Sequence, residues 1–518
     1  MRLLLFIAAL LALLPFPTIT AAQDGVALVR RAIAAHGGTA AMEAAGGVTL
    51  EGKGTLDLSA MQQGRHHDAP EIVPVSQRIV VNLREGTTSH RYDWYNYAFS
   101  NQRLFERYDE NGRVLFADLT NGGVFWPPFL APKGNAERYR RYLPGLLLAE
   151  AAERGLRAVP GGPFDFHGRT VDAAWFETAQ GERLQLYFES ATGMLAGLAA
   201  PIDAEMLGQT TVEFAWSDYA RDSGWAKPGR LQSWLGGRLL RDLALSISAG
   251  VGEDLPGGLE LPDPPESQIA AEDMPVPAWG EGRAREVADN IWLFPSIRPG
   301  FHPMAIEFAD HVVAIDAPAG WYELEQIPPH QIGRAQDGEA LTRKFTRPIH
   351  AAIPGKPIRY AVMTHHHSDH VGGFRAFAEE GVELLASEEV AAAIRMAHAN
   401  DPGAAAPKFT IVDGEHRLAD PEMTLRLIEL PPDNPKAAGM LVAYAEPARL
   451  LYATGFIYPI PEEAFPLQES VALSKWYVNW LDQSGLELDH HYNVHGQARV
   501  QDWQVERVRA MDATPAGG

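Results

Sequence analysis

The residues best suited to chemistry are Thr364-His365-His366-His367-Ser368-Asp369-His370, which place four imidazoles and a carboxylate in one short stretch. Neutral imidazole and carboxylate are the usual nitrogen and oxygen ligands of zinc. In the spacing His-x-His-x-Asp-His, alternate residues face opposite ways, so the side chains cannot all converge on one point. The pattern suits two adjacent ions sharing one loop. The competing reading is a polar surface loop. The context argues against it. The apolar run Ile358–Met363 reads as a buried strand, and Val371-Gly372-Gly373-Phe374 opens a helix. His366 falls between the alternating positions and is expected to be exposed.

The elements that must position this loop lie in a chain of 518 residues, too long for one ordinary core. Hydrophobic content of 46% and charged content of 21% are those of a globular protein. A net charge of -22 argues against nucleic acid or an anionic membrane surface as partner and leaves small molecules open. Arg2, the apolar run Leu3–Leu14 and the small residues Thr20-Ala21-Ala22 read as a secretory signal over residues 1–22. Pro15 and Pro17 cut the run short of a membrane span. No later stretch is apolar enough to cross one, and there is no cysteine to pair, ligate or carry lipid. The expectation is a periplasmic or secreted protein. Nothing in the sequence fixes an oligomeric state.

Residues 24–262 read as a β-rich antiparallel domain. Val26–His36 is a short amphipathic helix capped by Gly37-Gly38, and mostly alternating segments follow at Val48–Leu56, Arg78–Leu83, Val171–Thr178, Arg183–Glu189, Met194–Leu198, Thr211–Ser217, Arg230–Trp234 and Leu239–Ser248. Ala136–Arg154 is helical, with Pro144 breaking or kinking it. His66-His67-Asp68 reads as solvated surface. Tyr92, Trp94, Tyr95, Tyr97 and Phe99 are either ordinary sheet packing or the lining of a ligand groove. Residues 263–282 are a proline-rich linker. In residues 283–510 strands and helices alternate, an α/β pattern.

The histidine-rich stretch resembles the signature of the metallo-β-lactamase fold superfamily, over roughly Arg283 to Arg507. The resemblance implies a four-layer αββα fold with metals at one edge, so the whole chain is α+β. The start at Ala34-Ala35-His36-Gly37-Gly38 and the segment Asp218-Tyr219 through Lys227-Pro228 resemble periplasmic lipoprotein-carrier domains, curved sheets that cradle an apolar ligand. In the metal-binding family, a first ion takes two motif histidines, here His365 and His367, and a distant histidine about 50–80 residues on. The matching turn, Asn434–Gly439, holds Lys436 instead. A second ion takes Asp369 and His370 with a late histidine, which His495 matches. A bridging aspartate is expected after Thr454-Gly455, where Phe456 stands. Asp316 matches the aspartate that supports the loop without ligating.

The resemblance therefore implies an incomplete two-metal site. Its candidate ligands are His365, His367, Asp369, His370 and His495, and its candidate catalytic groups are Asp369 and Lys436. The complete Asp/His/His set with an open position implies one zinc and a metal-dependent hydrolase acting on an electrophilic carbonyl or phosphoryl centre. The alternative is a catalytically degenerate binding protein for an apolar small ligand. Asp433 is a stray oxygen donor between prolines. His490 and His491 lie near His495 in sequence, and Trp476 with Trp480 read as packing on a helix.

Overall fold

The computed structural model describes residues 25–511 except 39, 96–100, 110, 127–128, 131–141, 160–161, 179–180, 182, 205, 223, 258, 260–261, 264–268, 271–282, 298–299, 320–337 and 402. The signal segment, most of the proline-rich linker, Tyr97 and Phe99 lie outside the described residues.

The N-terminal part is one long antiparallel sheet. Its order runs from Gly123–Phe125 through Val114–Asp118, Asn101–Tyr108, Thr87–Tyr95 and Ile72–Asn82 to Gly47–Asp57. There the chain's later strands join, with Arg238–Ala249 paired antiparallel to Gly47–Asp57. Alternation explains the sheet: in Arg183–Glu189, Leu184, Leu186 and Phe188 are buried while Arg183, Gln185, Tyr187 and Glu189 are not. The buried face packs on helices Gly25–His36 and Pro144–Arg154, through Leu28, Val29, Leu147 and Leu148. Pro144 starts the second helix rather than kinking it, because a first-turn position has no intrahelical N–H bond to lose. Tyr92 is core, stacked on His90.

The C-terminal part stacks two sheets between helices. The first sheet has seven strands and ends on the parallel set Val312–Ile315, Ile358–Val362, Glu383–Ala386 and Lys408–Ile411. The second has five, from Glu415–Ala419 to His490–Tyr492. The central strands Val312–Ile315 and Leu441–Ala445 are apolar and buried on both faces, as their place between two layers requires, whereas the edge strands Lys408–Ile411 and Glu415–Ala419 are not. Val312 and Ala314 meet the helices that carry Phe345, Ile349 and Phe374, while Val313 and Ile315 meet the other sheet. Leu441, Ala443 and Ala445 face the first sheet, and Val442 and Tyr444 face helix Val471–Ser484. The layer order is helix, sheet, sheet, helix. The helix Glu388–Ala399 begins at Ser387, whose hydroxyl accepts from the Val390 N–H. Among the described residues no helix is long and apolar enough to cross a membrane.

Candidate metal centre

The motif leaves the sheet directly after the strand Ile358–Val362 and turns into the short helix Ser368–Val371. The turn is held from below by Asp316, which follows the neighbouring parallel strand and is itself fully buried. Asp316 Oδ1 accepts from the Thr364 hydroxyl at 2.6 Å, and Oδ2 accepts from His370 Nδ1 at 2.9 Å. A carboxylate can only accept here, so His370 carries its proton on Nδ1 and presents a lone pair at Nε2. That nitrogen lies 3.5 Å from Asp369 Oδ2, and His495 Nε2 lies 4.0 Å from the same oxygen. Asp369, His370 and His495 each offer a ligand atom, all within 4.8 Å of one another. Asp369 and His370 are buried, and His495 keeps slight exposure.

His495 reaches this point because its turn is tied down. Asn493 Oδ1 accepts from the backbone N–H groups of His495 and Gly455. Phe301 bridges to His495 through the backbone and lays its ring against both His370 and His495. His302 adds a second tie, from its ring to the Gly496 carbonyl at 2.7 Å. Phe301, His302 and Asn493 carry no signature in sequence, since single ties to a distant backbone follow no particular spacing.

The other half of the motif is arranged differently. Thr364 donates its only hydroxyl proton to Asp316, so it accepts from His365 Nδ1 at 3.1 Å. His365 Nε2 is then a buried lone pair, with no hydrogen-bond partner among the described residues. Burial holds His365 and His367 well below the ordinary imidazole range, with the neighbouring imidazoles and Lys436 adding to the effect. Both rings are neutral. Lys436 is buried, and desolvation lowers its ammonium to about 8 against the attraction of Asp369. Its side chain passes over Gly455, where an added Cβ would run into Nζ.

Phe456 does not enter this space. It stacks on Tyr477 at 4.7 Å and on Trp476 at 5.9 Å, within the core beneath the second sheet. Trp476 and Trp480 belong to the same core, half-buried. Asp433 is exposed and accepts from the Trp476 indole. His491 bonds the Tyr477 hydroxyl and His490 lies in an edge strand, so neither joins the site.

Two expectations are corrected. His366 is buried, not exposed, and His67 is part of an interface, not solvated surface. Both follow from one segment of the N-terminal domain that covers the motif. The Gly64 carbonyl accepts from His366 Nε2 at 2.9 Å and from His367 Nε2 at 3.2 Å. Arg65 binds the carbonyls of Asn434 and Pro432, and its own carbonyl accepts from Ala438 N–H at 2.8 Å. His67 bonds Glu389 twice, from its backbone N–H at 3.0 Å and its ring Nδ1 at 2.8 Å.

Comparison with known proteins agrees with this architecture. The family model described as a β-lactamase superfamily domain matches residues 333–473. With the layer order above, that match identifies the C-terminal half as a metallo-β-lactamase fold joined to a β-rich N-terminal sheet. Solved structures similar to it include a metallo-β-lactamase from Pontibacter korlensis, 16% identical over 44% of this chain and 99% of that one, with a TM-score of 0.32. A metallo-β-lactamase from Hirschia baltica is 15% identical over 44% and 95%, with a TM-score of 0.31. A flavodiiron protein from Giardia intestinalis is 13% identical over 44% and 58%, also at 0.31. The family match and the layer order carry the fold; these overlaps add nothing on substrate. A search of curated proteins finds no match.

Proposed function

We propose that the chain is an exported metal-dependent hydrolase that works with one zinc-class ion, held by Asp369, His370 and His495. The observation that carries this reading is the convergence of three ligand atoms within 4.8 Å, one of them aimed by Asp316. The donor set fits the ion: two imidazoles and a carboxylate, with one position left for water or substrate. When bound there, such an ion supplies Lewis acidity and lowers the pKa of a water molecule. The chain's own residues do the rest. Asp316 fixes the tautomer of His370, Asn493 fixes the turn of His495, and Phe301 packs its ring against both imidazoles.

Lys436 replaces the first ion in this reading. Its charge stands beside His365 and His367, where a histidine would otherwise complete a second set. His367 Nε2 donates to Gly64 and so cannot ligate through that nitrogen while the segment is in place. A small-molecule substrate with a carbonyl or phosphoryl centre is the class proposed. The degenerate alternative draws on Phe456, which has withdrawn the bridging position into an aromatic core.

The deciding experiment is elemental analysis of the purified protein beside hydrolysis of a panel of β-lactam, lactone, thioester and phosphoester substrates. A tightly held ion that is lost in His370→Ala, with activity lost on chelation, supports the hydrolase. An ion-free protein inactive across the panel after zinc-supplemented purification refutes it. Export is tested separately, by N-terminal sequencing for a mature start near Ala22 or Gln23.

A further inference from the structure

Where the N-terminal segment crosses the C-terminal domain, it brings a second group of metal-ligating side chains together. His67 and Asp68 from one domain and Glu389 from the other offer ligand atoms that all lie within 4.8 Å of one another. His66 Nδ1 stands 3.7 Å from the same Glu389 oxygen, which adds a fourth donor. We propose that His67, Asp68 and Glu389, with His66 as fourth ligand, form a divalent transition-metal site that clasps the two domains together. This site is separate from the centre at Asp369, and it stands whether or not that centre is catalytic.

The donor chemistry selects the ion. Imidazole nitrogens with carboxylate oxygens suit zinc, nickel or copper, whereas calcium and magnesium prefer oxygen alone. Two carboxylates balance a divalent charge, so the site is neutral with the ion bound. The donors are held by structure on both sides. Glu389 stands in the first turn of helix Glu388–Ala399, which Ser387 caps. The His67 carbonyl accepts from Arg238 at 3.0 Å, which fixes the segment against its own sheet. The His67 and Glu389 side chains are only 14% and 21% exposed and are held by the fold, while Asp68 is exposed and His66 is 44% exposed, so these two would close on the ion from the solvent side.

An ion here acts at a distance of three residues on the motif. Gly64, whose carbonyl holds His366 and His367, lies in the same segment as His66, His67 and Asp68. Occupancy would fix that segment over the metal centre, and loss of the ion would leave only hydrogen bonds to hold it.

The test uses the full-length chain with His370→Ala as background, so that the motif centre does not contribute. Chelator-stripped protein is titrated with zinc chloride, with and without His67→Ala or the near-isosteric Glu389→Gln. The expected result is one ion in the background variant, with affinity lowered roughly tenfold or more by either further change. Hydrogen exchange over residues 59–68 should slow on zinc addition in the background and not in the Glu389→Gln variant. No residual zinc in the background, or residual zinc indifferent to both changes, overturns the proposal. Glu389→Gln guards against misfolding, since its far-UV spectrum can be matched to the parent before binding is compared.

Discussion

Asp316 Oδ2 and His370 Nδ1 are 2.9 Å apart at complete burial, and this pair decides which nitrogen of His370 is free. Asp316 also has a backbone φ of 69°, a conformation that asparagine tolerates and alanine does not. Asp316→Asn should therefore fold, yet weaken metal binding by about 10–100-fold by disturbing the tautomer. Competition with a chromophoric chelator measures it, and unchanged affinity would contradict the role given to Asp316.

The ligand set predicts unequal effects of histidine removal. His370→Ala or His495→Ala should abolish binding at the motif centre. His365→Ala should cost much less, because its free nitrogen faces the space held by Lys436. Lys436→His should raise zinc stoichiometry at the motif centre above that of the parent, since His365 and His367 are already neutral. Elemental analysis reads all four, and an ion lost equally with His365 would sink the one-ion arrangement.

Restoring the bridging carboxylate should fail for a physical reason. Phe456→Asp places a charge against Tyr477 and Trp476 in a fully buried position. Burying an unpaired carboxylate costs on the order of several kcal/mol even after relaxation. A large fall in melting temperature is the expected outcome; an unshifted one would mean that the loop can turn its side chain toward the metals.

Much of this was legible in the sequence. The strand expected at Ile358–Met363 and the helix expected to open at Val371–Phe374 are present as Ile358–Val362 and Phe374–Glu379, because apolar runs are local signals. The helix Gly338–Ala352 is not among the sequence expectations, although its buried Leu341, Phe345 and Ile349 keep a four-residue spacing across Pro348. His366 and His67 depart from expectation because their partners, Gly64 and Glu389, lie about 300 residues away in sequence, at 302 and 322 positions. No periodicity reports contacts across that separation.

Acid should weaken the N-terminal sheet through His36. Burial, with the Arg221 charge, lowers its pKa from 6.5 to about 4. Its Nε2 accepts from the Leu195 N–H, and protonation would remove that bond. The unfolded chain binds the proton more readily, so this stability is full above pH 6.5 and is lost as pH falls toward 4. The share is about 3 kcal/mol. Denaturant midpoints at pH 7.5 and 5 should fall less in His36→Gln than in the parent; equal falls would refute it.

The helix at Glu388 should depend on its cap. Ser387→Ala removes the acceptor for Val390 N–H and should cost about 1 kcal/mol, read as a shift in denaturant midpoint. No shift would mean that water replaces the hydroxyl without penalty.

The cover supplied by Gly64 has a consequence for how the molecule is made. Synthesis is vectorial, and domains fold as units with the N-terminal one first. The segment carrying Gly64 leaves the ribosome some 300 residues before His366 and His367, the partners of its carbonyl. The imidazole loop therefore emerges into the presence of its own shield.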